Sequence, residues 1–191
     1  MKVRIVLCMA AVLCVALIAQ TVRGDTSGSA VAMVRVTVNP NVSITPVNAT
    51  VNAGTVQMGD FSASIDFTVN ANEQDVSFSA AASPLYKGGD PTNSQVNPIP
   101  LKLSAGVVIT PANGNAMGGH GNTLAFVTSS SQATVQNFPV QTTEIAAFSS
   151  SQNNHFSQNV NAVVTWTQVD PEQPTGEYDG VVQLTALLLP P

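Results

Sequence analysis

Few residues in this sequence have a type and spacing that suit chemistry. The two histidines, His120 and His155, both sit in polar, turn-rich stretches. No His-x-x-x-His spacing offers zinc a pair of ligands on one face. Serine, histidine and aspartate all occur, but no nucleophile-elbow pattern surrounds any serine. Both cysteines, Cys8 and Cys14, lie near the N-terminus, so the rest of the chain offers no thiolate. The run Asn113-Gly114-Asn115-Ala116-Met117-Gly118-Gly119-His120-Gly121 is glycine-rich like a phosphate cradle. It lacks the Gly-Lys-Ser/Thr ending, and no helix follows it. A mobile surface loop is the expectation there. Asp170, Glu172, Glu177 and Asp179 bring hard oxygen donors together around Pro171 and Pro174. Such a set suits calcium, without EF-hand spacing; a solvated acidic turn is the plainer reading. Tyr86 with Lys87, and the single Trp166, are potential sugar platforms. Trp166 also continues an inward-facing stripe, which makes it a core residue. Asn41-Val42-Ser43 and Asn48-Ala49-Thr50 match the glycan acceptor pattern, relevant only in a eukaryotic source. No catalytic residue, metal site or cofactor is expected, and the chain reads as a non-enzyme.

The background composition agrees. Of 191 residues, 44% are apolar and only 9% are charged. An average soluble domain carries about 25% charged residues. Residues 1–24 read as a secretory signal peptide. Lys2 and Arg4 form its positive end, Ile5 to Ala19 its apolar stretch, and Val22 and Gly24 the small residues before cleavage. Removing it leaves three basic residues, Arg35, Lys87 and Lys102, against all eleven acidic ones. That balance excludes a nucleic-acid binder, which needs a basic surface. No membrane span remains after the signal is removed. The exported domain has no disulfide and must rely on its core.

The elements are strands. No stretch of a dozen residues shows a helical period, and proline and glycine interrupt most of the chain. Alternation with a period of two recurs instead. Ala30, Ala32, Val34, Val36 and Val38 share one face; Met33, Arg35 and Thr37 share the other. Pro40 ends that run. A short strand is expected at 42–45. At 63–69, Ile65, Phe67 and Val69 face inward; at 74–82, Val76, Phe78 and Ala80 do so. At 158–168 the inward set is Val160, Ala162, Val164 and Trp166. The last run places Val182, Leu184, Ala186 and Leu188 on one face. Leu187 and Leu189 on the other predict burial of both faces near its end. Shorter strands are expected at 55–58, 100–104, 106–110, 123–128 and 132–136. Loops are expected at 84–98, 111–122 and 149–154. Many short strands separated by turns predict an all-β sandwich. The organisation reads as signal peptide 1–24, N-terminal extension 25–40 and one sandwich domain, 41–191.

The segment Gln173-Pro174-Thr175-Gly176-Glu177-Tyr178-Asp179-Gly180 carries a Pro-x-Gly-x-Tyr-x-Gly turn and leads into the last strand. It resembles the end of bacterial pilin-like domains, the spore-coat-U and archaic chaperone–usher pilin families. An alternating strand directly after the signal, and Asp60-Phe61 before the strand at 63–69, agree with that resemblance. The resemblance implies an immunoglobulin-like Greek-key sandwich that lacks its last strand. A neighbour's N-terminal strand completes it by β-strand addition. It implies Ala30, Ala32, Val34, Val36 and Val38 as the donor face. It also implies Val182, Leu184, Ala186 and Leu188 as an assembly strand, and Pro174, Gly176, Tyr178 and Gly180 as the family-like turn. The implied partners are other copies of the chain, with a periplasmic chaperone and an outer-membrane usher. The implied route runs through the periplasm to the cell surface or beyond. Function is then expected to be that of a structural subunit of a surface fibre or coat. The alternative is a monomeric secreted binding module or adhesin, with 30–38 paired inside its own domain and contacts carried by loops 84–98 and 111–122.

Overall fold

The structure is a computed structural model and describes residues 30–127 and 133–189. The expected signal peptide, with Cys8 and Cys14, lies outside the described residues. The chain divides into two units between Val38 and Asn39.

In the first unit, residues 30–38 are described. They carry no secondary structure and are exposed throughout. Val34 is 91% exposed and Val36 is 84% exposed. The expected strand is therefore not formed by the single chain. Alternation makes a strand only where another edge accepts its backbone hydrogen bonds.

Among its described residues, the second unit is all-β apart from one 3₁₀ turn. Its strands are β1 (Val42–Pro46), β2 (Gly59–Ala71), β3 (Asp75–Ala82), β4 (Tyr86–Lys87), β5 (Val107–Pro111), β6 (Gly114–Ala116) and β7 (Thr123–Leu124), followed by β8 (Ala133–Val135), β9 (Phe138–Thr142), β10 (Ala146–Ser150), β11 (Phe156–Gln168), β12 (Tyr178–Asp179) and β13 (Val182–Leu188). One sheet has the order β1-β2-β11-β5-β7. The other centres on β3, which pairs with β13 and with β9 and β10; β6 and β8 extend it. Every pairing is antiparallel. β2 and β11 form the long spine, in register from Gly59 opposite Gln168 to Ala71 opposite Phe156.

Period two is the reason for both the strands and the core. Ile65, Phe67 and Val69 of β2, Val160, Ala162 and Val164 of β11, and Ile109 of β5 point inward from one sheet. Val76, Phe78 and Ala80 of β3, Phe148 of β10 and Leu184 of β13 point inward from the other. The two sheets thus share one core, the arrangement of a β-sandwich. Phe78 meets Phe148 and Phe156 edge-on, with ring centroids 5.4 and 5.5 Å apart. Trp166 is buried beside Phe61, as its inward stripe predicts. The outer face of β2 and β11 is polar, with Asn161 Nδ2 donating to Ser64 Oγ and Asp66 Oδ1 at 2.7 Å each.

Several expectations are corrected. Residues 55–58 form no strand: Met58 is exposed and Val56 is only half-buried. Residues 103–105 form a 3₁₀ turn ended by Gly106, whose φ is 63°. Of the expected strand at 123–128, residue 128 lies outside the described residues; the rest forms β7 and a single bridge from Phe126 to Thr143. The expected loops hold short strands: β4 in 84–98 and β6 in 111–122. β9 and β10 are unforeseen strands, separated by a bulge at Thr143. There the Thr143 Oγ1 replaces a ladder group, accepting from Ala80 N at 2.9 Å and donating to Glu144 O at 2.8 Å. β13 is not buried on both faces: on its outer side Leu187 is 52% exposed, while Leu189 is half-buried.

Candidate functional site

The feature with the most functional content is a seam between the two sheets. Its walls are the edge strands β1 and β13. β1 pairs only with β2, and β13 pairs only with β3, among the described residues. Their Cα atoms approach within 8 Å, yet no backbone hydrogen bond joins them. Each therefore presents a row of unpaired N–H and C=O groups.

The direction of those groups follows from the ladder. Ser83 N donates to Val181 O at 3.0 Å, and Leu189 N donates to Asp75 O at 3.3 Å. The odd residues of β13 thus bond β3. Antiparallel geometry then turns the N–H and C=O of Val182, Leu184, Ala186 and Leu188 toward the free edge. On β1, Asn72 N donates to Asn41 O at 3.2 Å and Val47 N to Asp66 O at 2.8 Å. By the same logic Val42 and Ile44 face the seam. The side chains of these same residues point to the core. Leu184 is buried, while Val182, Ala186, Leu188, Val42 and Ile44 are half-buried against it. The seam therefore combines two edges without ladder partners with an apolar floor, and the edges lie closer together than the roughly 9.5 Å that an intervening strand needs.

The turn before β13 fixes where that edge begins. β12 pairs with β4, Tyr178 opposite Lys87 and Asp179 opposite Tyr86. Tyr178 packs on the core, and its hydroxyl donates to Pro174 O at 2.7 Å. Gly180 sits where a Cβ would lie 2.6 Å from Ser83 Oγ and 2.8 Å from Pro84 O. Only glycine fits that approach. Ser83 is fully buried and binds three ways. Its N–H donates to Val181 O, its Oγ accepts from Val181 N at 2.9 Å, and its carbonyl accepts from Trp166 Nε1 at 2.9 Å. Pro174, Gly176, Tyr178 and Gly180 are thus brought together as one turn.

Ser83 was not legible as a positioning residue. Its one sequence signal is its place between the alternating run 74–82 and Pro84. The walls Val42 and Ile44 were likewise not singled out, although their strand was.

The other chemistry-bearing residues form no comparable arrangement. His120 is exposed. His155 is exposed, with its Nδ1–H donating to Asn153 O at 2.8 Å. Asp170 Oδ1 accepts from Glu172 N at 2.9 Å within its own turn, while Glu177 and Asp179 are exposed. Among the described residues, no group of three or more His, Cys, Asp or Glu side chains is placed to hold a metal ion. The glycine-rich loop is anchored at its start by Gln158, which is buried. Its Oε1 accepts from Asn113 N, and its Nε2 donates to Asn113 O at 3.2 Å. Tyr86 is half-buried, 6.0 Å from Phe138 between ring centroids, and burial pushes its hydroxyl pKa up. Trp166 is in the core and offers no ring face to a ligand. Among the described residues, no helix is long and apolar enough to cross a membrane. No family model, curated protein or solved structure matches this chain.

Proposed function

We propose that this chain is an exported structural subunit of a surface fibre or coat, without catalytic activity, that assembles by β-strand addition. Residues 25–40 of one copy would pair with the free edge of β13 in the next, with β1 drawing aside to admit them. The observation that carries this reading is the pairing of two features. One is an alternating segment, 30–38, that is exposed and without secondary structure. The other is the edge of β13, which pairs with β3 alone among the described residues and borders the apolar core. Extended segments recognise such edges through main-chain bonds and alternate side-chain pockets. Three inserted valines contribute about 1.5–3 kcal/mol each on full burial.

Strand order supports the finer fold assignment. In an immunoglobulin constant-type sandwich, strands A, B, E and D form one sheet and C, F and G the other. The order β1-β2-β11-β5 fits A-B-E-D, and β3 with β13 fits C and F. No strand of the second unit occupies the place of G among the described residues. The Tyr178 hydroxyl bonded to Pro174 O matches the tyrosine corner found at the start of strand F in such domains. A periplasmic chaperone and an outer-membrane usher are the partners this reading entails, since an open apolar seam needs cover during transit.

Deleting residues 25–38 tests it. The full-length chain is expected to form multimers by size-exclusion chromatography and fibres or sheets by electron microscopy. The deleted chain is expected to remain monomeric. Fibres formed by the deleted chain would sink the proposal.

A further inference from the structure

We infer that the outer face of the β3 sheet is a self-complementary contact surface. A second copy of this chain packs on it, with the Leu187 ridge of each copy in the small-residue trough of the other. The inference does not rest on strand addition: it concerns the outward side chains of that sheet, not the backbone edge of β13.

The registers place one row of side chains across that face. Leu187 lies opposite Ser77, and Ser77 opposite Ala147. Met117 follows, its N–H donating to Ala147 O at 2.8 Å. The chain neighbours of all four belong to the core or pack on it, among them Leu188, Phe78, Phe148 and Ala116. By alternation the four themselves point outward. Two more rows repeat the pattern. Thr185 lies opposite Ser79, with Ile145 beyond, next to the inward Ala146. Gln183 lies opposite Ala81, and Ala81 opposite Thr142. Val127 follows, its N–H donating to Thr142 O at 2.8 Å. Side-chain size then shapes the face. Leu187, Thr185 and Gln183 form a ridge along β13. Ser77, Ser79, Ala81 and Ala147 form a low floor beside it. Met117 and Val127 stand on the far side, with Ile145 between their rows.

Exposure marks this face as a contact surface. Leu187 is 52% exposed, Ile145 63%, Val127 41% and Met117 36%, while Ser77 in the floor is only 6% exposed. Large apolar side chains gathered on one exposed face are typical of interaction sites. The outer face of the other sheet differs. There Asp66 sits among hydroxyl and amide groups that hydrogen-bond one another. Charge selects the occupant. From residue 25 on, the chain holds three basic and eleven acidic residues, a net of −8. Two copies therefore repel each other over most of their surfaces. None of the side chains in the three rows is charged. Here two copies meet without that repulsion, while a strongly charged partner finds no counter-charge. Shape agrees. A ridge and a trough side by side on one face are what a two-fold, isologous contact requires, because each copy supplies both halves. Size sets the strength. From Leu187 to Met117 is three strand spacings, about 14 Å, and the rows with their flanks run about 20 Å along β3. Two such faces together cover about 600 Å², below the range of about 1,200–2,000 Å² for stable specific complexes. The contact is therefore weak between free copies and adds up where copies are already held side by side.

Thiol crosslinking between copies reads the contact. Packed sheets lie about 10 Å apart, so the reagent is a bis-maleimide of about that span. The chain from residue 25 on has no cysteine of its own. Leu187→Cys is mixed with Ala147→Cys, which sets the ridge of one copy against the trough of the other. Ser64→Cys mixed with Thr165→Cys, on the outer face of the other sheet, is the reference. Heterodimers are identified by intact mass. The first mixture is expected to give about tenfold more crosslinked heterodimer than the reference. Equal yields in the two mixtures overturn the contact surface. A second variant tests the two-fold. Leu187→Asp is added to the Ala147→Cys copy, whose own residue 187 takes no part in the crosslink. In an isologous contact that aspartate enters the partner's trough, so the yield is expected to fall to the reference level. An undiminished yield overturns the two-fold arrangement. Every substituted side chain points away from the core, so circular dichroism is expected to show the parent fold in each variant.

Discussion

Replacing Gly180 by alanine tests the turn that sets the start of β13. Gly180 is not in the left-handed backbone region, so the cost of a side chain is steric alone. The new Cβ would meet Ser83 Oγ at 2.6 Å, Pro84 O at 2.8 Å and Leu85 Cδ2 at 2.9 Å. The leucine tip can rotate away. The other two atoms cannot: Ser83 Oγ is held by Val181 N, and Pro84 O belongs to the main chain. The strand must therefore shift, and overpacking of this kind costs about 1–3 kcal/mol. Each kcal/mol moves the melting midpoint of a domain this size by about 2–4 °C. Gly180→Ala is thus expected to lower the midpoint by about 2–12 °C, read by circular dichroism at the strand signal. Adding Ser83→Ala removes the nearest obstruction, so the double variant is expected to lose less than the two single losses summed. A Gly180→Ala protein that melts within about a degree of the parent would refute the steric argument.

Gln158→Leu keeps the buried volume but leaves Asn113 N without its acceptor, and is expected to cost about 1–3 kcal/mol. Hydrogen–deuterium exchange at residues 113–116 should accelerate, and unchanged exchange would show that Gln158 does not anchor that loop. Asp60 is hydrogen-bonded to Lys102 first and Thr167 second, and both hold its carboxyl below its ordinary value of 3.8. A depressed folded-state value adds stability above the unfolded value, and this is lost as pH falls through the folded one. An NMR titration of the Asp60 carboxyl should therefore show a low midpoint that rises in Lys102→Met; an unmoved midpoint would count against the ion pair in solution.

Legibility in the sequence follows the range of the forces involved. The long strands β2, β3, β11 and β13 were legible because each buries one face, and burial writes itself as period two. Ile65, Phe67, Val69, Val76, Phe78, Val160, Val164 and Trp166 are all buried where their alternation predicts. β9 and β10 were not legible. Pro139 sits inside one of them, and the bulge at Thr143 breaks the run between them. β4 and β12 exist only because residues some ninety positions apart meet in a two-residue ladder, which no local pattern encodes. The alternation at 55–58 misleads for the opposite reason: among the described residues it finds no strand edge to pair with. The seam itself depends on which strands end at a sheet edge. That is a property of topology, so the apolar stripe of β13 was legible while its open side was not.

The exposed segment 30–38 and the open seam would each be a liability in isolation. An unpaired apolar alternation invites aggregation, and so does an unpaired edge over an apolar floor. Proteins blunt edges with lysine, proline, bulges or inward charges. β13 carries none of these, and its seven residues include no charge at all. β1 carries only Pro46, at its far end. Meanwhile the outer face of β2 and β11 spends Ser62, Ser64, Asp66, Asn161 and Thr165 on hydrogen bonds across the sheet. Polarity is thus invested where the sheet should stay solvated and withheld where it would protect an edge. On the proposed reading, such a distribution suits a domain that receives a strand at that edge. On that reading, the added segment and the edge it pairs with share the same period, so a single sequence supplies both halves of its own joint.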